Sequence, residues 1–246
     1  MVLNVPSGGH PRTPGPGGHP RTPGLGRDRL ALALDVEDLA IAVALADRLD
    51  PWFGVVKVGL ELFAGAGPAA VEALAAPGRR VFLDLKLHDI PTTVGRAARQ
   101  IGRLGVGYVT FHTAGGVDML RAGVEGLEAG SADGGFDQPV ALGVTVLTSD
   151  PDASAFPARL DAAQAGGCGG VVCSVRELPA VKDRSRLLAV VPGIRLPGGA
   201  THDQARVGTP AEAIAAGADL LVVGRAVTAA ADPEAAAAAL SAALVP

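Results

Sequence analysis

The sequence predicts a single-domain α/β protein, a (β/α)8 TIM barrel, over residues 29–246. Three observations carry the prediction. Short apolar runs recur from residue 30 onward, with Ala- and Leu-rich stretches between them. Those runs are continuously apolar rather than alternating, as strands buried on both faces are. A chain of 246 residues suits one barrel. The competing architecture is an open doubly wound sheet, which usually carries a Gly-rich turn after its first strand. Here the first strand runs into LDVEDLA, with an acid and no glycine.

Residues 1–28 stand apart. GGHPRTPG occurs at 8–15 and again at 17–24, and there is almost nothing in it to bury. This composition predicts a disordered Pro/Gly-rich extension. Each repeat brings one Arg and one His, a thin basis for a nucleic-acid arm, and nothing orients His10 and His19 on a metal.

From residue 29 the elements follow in order. Strands are expected at 30–35, 55–59, 81–86, 106–112, 140–148, 169–174, 187–194 and 219–225. Helices fill the intervals. Thr209-Pro210-Ala211-Glu212 reads as an N-cap, a proline in the first turn and a capping-box glutamate. Asp232-Pro233 opens a last Ala-rich helix in the same way.

Composition excludes several classes. Hydrophobic residues make up 48% and charged residues 19%, which favours a well-buried globular chain. A net charge of -4 gives no global attraction for nucleic acid or an anionic membrane. No apolar run is long enough to span a bilayer, and the N-terminus has no apolar signal core. The spacing of Cys168 and Cys173 matches no zinc or CxxC motif, so they read as reduced cysteines of a cytoplasmic protein, with Cys173 in the core.

Barrel enzymes place their chemistry at the C-terminal ends of strands, and the charges of this chain fall there. Asp35 ends strand one, Lys57 lies near the end of strand two, and Asp84 and Lys86 end strand three. Residues two apart on a strand share a face, so Asp84 and Lys86 point together and Leu83 and Leu85 point away. Asp89 follows in the loop, where it can fold back over the barrel mouth. Only three lysines occur in the chain, Lys57, Lys86 and Lys182, and two of them sit here. A rim of salt bridges is the bland explanation. Buried ion pairs add little net stability, so chemistry is the stronger reason to keep two lysines and two aspartates, which sum to zero, together. Such an array keeps each group ionised and each ammonium in place.

Thr148 ends strand five, Arg195 follows strand seven, and Gly224 and Arg225 end strand eight. The last two strand ends of a barrel commonly bind phosphate, and arginine supplies a bidentate fork for it. GxGxxG and P-loop motifs are absent, which argues against a nucleoside triphosphate. His88, His112 and His202 lack ligand spacing. His88 reads as a support for the Asp89 loop and His112 as a hydrogen-bonded rim residue. No metal is expected, because Lys86 would supply the positive charge between Asp84 and Asp89.

The motifs LALD, VKVG, FLDLKLHDIPTT, VTVLTS, VVPGIR and VVGRAV, in this order, resemble the orotidine 5'-phosphate decarboxylase family of the bacterial type. The resemblance covers residues 29–245; the Pro/Gly extension has no counterpart, and Thr92 replaces an asparagine of many members. It implies conversion of orotidine 5'-monophosphate (OMP) to UMP and CO2, with no cofactor and no metal. Lys86 would protonate C6 of the pyrimidine, Asp84 would lie beside the departing carboxylate, and Lys57 and Asp89 would complete the array. Asp35 and Lys57 would contact the ribose. Ile90, Thr93 and Thr148 would also bind substrate, while Arg195, Gln204, Gly224 and Arg225 would hold its phosphate. A homodimer is implied, with Asp89 and Thr93 crossing the interface. Two alternatives remain: an Mg2+-dependent sugar-phosphate decarboxylase or aldolase on the same barrel, and a catalytically inactive barrel that binds phosphate ligands.

Overall fold

The structure is a computed structural model that describes residues 26–76, 78–147, 150, 152–195 and 208–244. Thr148, Gln204, His202 and the two Pro/Gly repeats lie outside the described residues. Eight parallel strands close into a barrel in sequence order, β8 pairing back onto β1. They are β1 (Leu30–Leu34), β2 (Val55–Val58), β3 (Arg80–Leu87), β4 (Tyr108–His112), β5 (Val140–Val144), β6 (Gly170–Val172), β7 (Leu188–Val191) and β8 (Leu220–Val223). The helices are α1 (Leu39–Leu49), α2 (Leu60–Ala66), α3 (Pro68–Leu74), α4 (Pro91–Gly102), α5 (Gly116–Gly134), α6 (Phe156–Ala165), α7 (Leu178–Arg184), α8 (Pro210–Ala215), α9 (Arg225–Thr228) and α10 (Pro233–Ala242).

Strand side chains alternate between two cores. Ala31, Val55, Phe82, Tyr108, Leu142 and Leu220 fill the barrel interior. Leu32, Val56, Leu83, Val109 and Leu221 face the helices in the larger outer core. Each expected strand is present, and the differences lie at the ends. β5 stops at Val144, short of residue 148, where Thr145 donates its side-chain hydroxyl to Val172 O at 2.8 Å. β7 stops at Val191 because Pro192 has no N–H for the ladder and Gly193 turns at φ 77°. β6 stops at Val172; Ser174 donates its N–H to the Glu177 carboxylate at 2.7 Å and opens a short 3-10 turn.

Both helix starts are capped as the sequence predicts. The Thr209 hydroxyl accepts from Glu212 N, and Asp232 accepts from Glu234 N and Ala235 N. The folded part begins before residue 29. Arg27 pairs with Asp50 at 2.9 Å and accepts from Gly54 N at 2.8 Å, so Arg27 and Asp28 cap the barrel floor rather than extend the tail. Cys168 and Cys173 are both buried free thiols.

Candidate active site

The top layer of the barrel interior is polar. Lys57 on β2 pairs in register with Ala33 and Phe82, placing it one layer above Val55. Asp84 stands one layer above Phe82 on β3. Their parity turns both side chains inward, over an apolar plug.

Four of the predicted charges form one alternating array. Lys57 Nζ donates to Asp35 Oδ1 at 3.0 Å and lies 3.6 Å from Asp84 Oδ2. Lys86 Nζ donates to both Asp84 oxygens, at 2.9 and 3.0 Å. Side-chain exposure rises outward from the centre, from 14% at Asp84 to 34% at Lys86, so this ammonium meets the opening. Burial pushes the Asp84 carboxyl up, but the Lys57 and Lys86 ammoniums and the hydrogen bonds from Lys86 and Thr110 outweigh it and hold it below the ordinary range.

The backbone beneath this array is irregular. Leu83 is level with Val109 and Leu87 with Phe111, so four steps along β3 match two along β4. In this bulge Lys86 adopts φ 51° and is the single non-glycine residue with positive φ among the described residues. The left-handed region costs a non-glycine residue about 1–3 kcal/mol, and such strain gathers at functional sites.

A cavity of about 280 Å³ opens above the array. Asp35, Lys57, Asp84 and Lys86 form one side; Arg195, Gly224 and Arg225 lie among its lining at the β7 and β8 ends. Burial, then the neighbouring Arg225 guanidinium, push the Arg195 pKa down. Two guanidiniums that repel each other at one end of a cavity suit a multiply charged anion.

Not every predicted residue joins them. Asp89, Ile90 and Thr93 are exposed at the start of α4 and do not line the cavity. Asp89 accepts from the N–H of Ile90 at 2.6 Å and does not fold back over the mouth of its own barrel. Ile90 is 66% exposed, unusual for a large apolar side chain.

His112 is the rim residue expected. Its Nδ1 accepts from Ala114 N at 3.2 Å and faces Arg159 Nη1 at 3.3 Å, which leaves its proton on Nε2. Burial, then Arg159, His88 and Lys86, push its pKa down, and His88 stacks on its ring at 5.2 Å.

Sequence reasoning missed Thr110, Arg159 and Gly59. Thr110 lies between Asp84 and the Lys86 backbone, and its parity with Tyr108 and His112 was legible. Arg159 comes from α6 and gave no local signal. A Cβ on Gly59 would meet Asp35 Oδ1 at 3.2 Å and Lys57 Nζ at 3.4 Å, so a glycine there leaves that ion pair room.

The chain is similar to known proteins along most of its length. Residues 28–240 match the model of the "Orotidine 5'-phosphate decarboxylase / HUMPS family". The orotidine 5'-phosphate decarboxylase of Nitratidesulfovibrio vulgaris is 49% identical over 87% of this chain and 96% of the relative. That of Moorella thermoacetica is 45% identical over 87% of this chain and 91% of the relative. Among solved structures, the orotidine 5'-phosphate decarboxylase of Lactobacillus acidophilus superposes with a TM-score of 0.75 at 34% identity, covering 89% of this chain and all of its own. The barrel, its charged mouth and the match along nearly the whole folded length lead to one assignment: this chain belongs to the orotidine 5'-phosphate decarboxylase / HUMPS family.

Proposed function

We propose that this chain is a carboxy-lyase that converts OMP to UMP and CO2, a step of pyrimidine biosynthesis. The observation that carries the reading is the array in which Lys86 Nζ sits 2.9 Å from Asp84 under the cavity, in a chain whose relatives are named for this reaction. Loss of CO2 from C6 leaves a carbanion that the pyrimidine ring delocalises poorly. A fixed ammonium stabilises that charge as it forms and then protonates it. Lys86 is therefore the proton donor. Asp84, held ionised between two lysines, stands where the substrate carboxylate departs, and Lys57 with Asp35 takes the ribose.

The phosphate lies with Arg195, Gly224 and Arg225 at the other end of the cavity; Gln204 as a further phosphate ligand and Thr148 as a substrate-binding residue belong to the same reading and lie outside the described residues. Its binding energy reaches the distant bond by positioning the base. No metal or cofactor takes part in this reading, which is supported by the lysine contact to both Asp84 oxygens. A Mg2+ ion on that carboxylate would have to displace an ammonium.

Asp89 and Thr93 complete a neighbouring site in a homodimer, with Ile90 beside them as a substrate contact. Their exposure at the start of α4, with the exposed Leu60 at the start of α2, supports that arrangement. We place the protein in the cytoplasm, consistent with two buried free thiols. Among the described residues no helix is long and apolar enough to cross a membrane.

The experiment is loss of OMP absorbance with purified protein, with and without EDTA. Loss unchanged by EDTA supports the metal-free decarboxylase. Loss abolished by EDTA points to metal chemistry on the same barrel, and no loss at all points to a ligand-binding barrel.

A further inference from the structure

Thr110 occupies the middle of β4, wholly buried, one layer above Tyr108 on the inward face. Its hydroxyl has one proton to give and lone pairs to receive with. It donates to Asp84 Oδ1 at 3.0 Å and accepts from the backbone N–H of Lys86 at 2.9 Å. That amide is displaced from the β3–β4 ladder by the bulge, and Thr110 supplies an acceptor for it where the register between Leu83 and Leu87 is lost. The same hydroxyl therefore fixes the carboxylate between the two lysines and the strained backbone of one of those lysines.

We propose that Thr110 is a positioning residue for the decarboxylation, a hydroxyl clamp that sets the Lys86 backbone and the Asp84 carboxylate relative to each other. It touches no reacting atom. The inference rests on the decarboxylase reading for its kinetic consequence, while the clamp itself is a property of the bulge. Without the hydroxyl, the Lys86 amide is left without its side-chain acceptor and Asp84 loses a hydrogen bond on the oxygen nearest Lys86. The ammonium then samples positions away from the reacting carbon. Misplacement of a catalytic group by about 1 Å costs on the order of 100-fold in rate.

The test compares Thr110→Val, nearly isosteric but without the hydroxyl, with Thr110→Ser, which keeps it. The valine variant should lose about 10- to 100-fold in kcat, with UMP affinity within about threefold of wild type. The serine variant should retain most of the turnover. Amide hydrogen exchange adds a readout independent of activity: the Lys86 amide should exchange faster in the valine variant, while the Leu83 amide stays protected.

Wild-type turnover in the valine variant overturns the proposal. So does equal damage in both variants, or Lys86 exchange that does not change. If Thr110→Val does not fold, Thr110→Ala removes the same hydroxyl without added bulk and is judged by the same outcomes. Should wild-type protein fail to consume OMP, the decarboxylase reading falls by itself, and Lys86 exchange still decides whether the clamp exists.

Discussion

Asp84 carries two ammoniums, so its ionisation bears on both stability and chemistry. Its folded pKa lies below the ordinary value of 3.8. The stability it contributes is therefore fully present above 3.8 and is lost as pH falls through the lower folded value. Thermal midpoints measured from pH 7 down to about pH 3 should fall at the acidic end, and Asp84→Asn should flatten that segment of the curve. At neutral pH the same variant leaves two lysines without their shared carboxylate. That should cost at most ~3 kcal/mol, since Lys86 is partly solvated. Lys86→Ala separates binding from chemistry: turnover should vanish while UMP still binds by calorimetry. Normal turnover would remove Lys86 from the donor role. Arg225→Ala acts at the other end of the cavity. Losing a charge-assisted fork to a phosphate should raise KM on the order of 100-fold. Equal turnover of OMP and of orotidine without phosphate by wild type would end the phosphate assignment.

At the scale of elements, the strands were legible because burial on both faces leaves a continuous apolar signature. Charges at their C-terminal ends stood out because a lysine inside such a run is costly. The β3 bulge was not legible. LDLKL (83–87) keeps perfect alternation, and the register slip depends on β4, whose Thr110 takes the Lys86 amide. The seam between α4 and α5 was equally hidden, because it needs the partner helix. The two backbones nearly touch there: a Cβ on Gly126 would lie 2.1 Å from Gly95 O, and one on Gly130 would lie 2.1 Å from Arg99 O. Helix propensity alone predicts that Gly126→Ala stabilises α5 by about 1 kcal/mol. The seam reverses the sign. Forcing the helices apart should cost about 1–3 kcal/mol, or roughly 2–4 °C in thermal midpoint per kcal/mol. A midpoint that rises would show that the seam has slack. Because α4 begins at Pro91, next to Asp89 and Ile90, activity should fall along with stability.

For the whole molecule, the proposed homodimer turns on how the predicted site residues divide between cavity and surface. The array of Asp35, Lys57, Asp84 and Lys86 is assembled within a single barrel, yet Asp89 and Thr93 are exposed and do not line that barrel's cavity. If they act across a two-fold axis, the defects of Lys86→Ala and Asp89→Ala separate onto different sites of a mixed dimer. One site then carries both substitutions. The other pairs the intact Lys86 of the Asp89→Ala chain with the intact Asp89 of its partner and is wild type throughout. Two inactive variants, mixed in equal amounts and allowed to exchange subunits, should regain about a quarter of wild-type activity: half the dimers are mixed, and each has one intact site. Activity should also fall on dilution below the dimer dissociation constant, and return on concentration. If Asp89 instead served its own barrel, every mixed dimer would hold one defect per site, and mixing would restore nothing. The mixing experiment thus separates a barrel that is catalytically complete alone from one whose active site exists only between two copies.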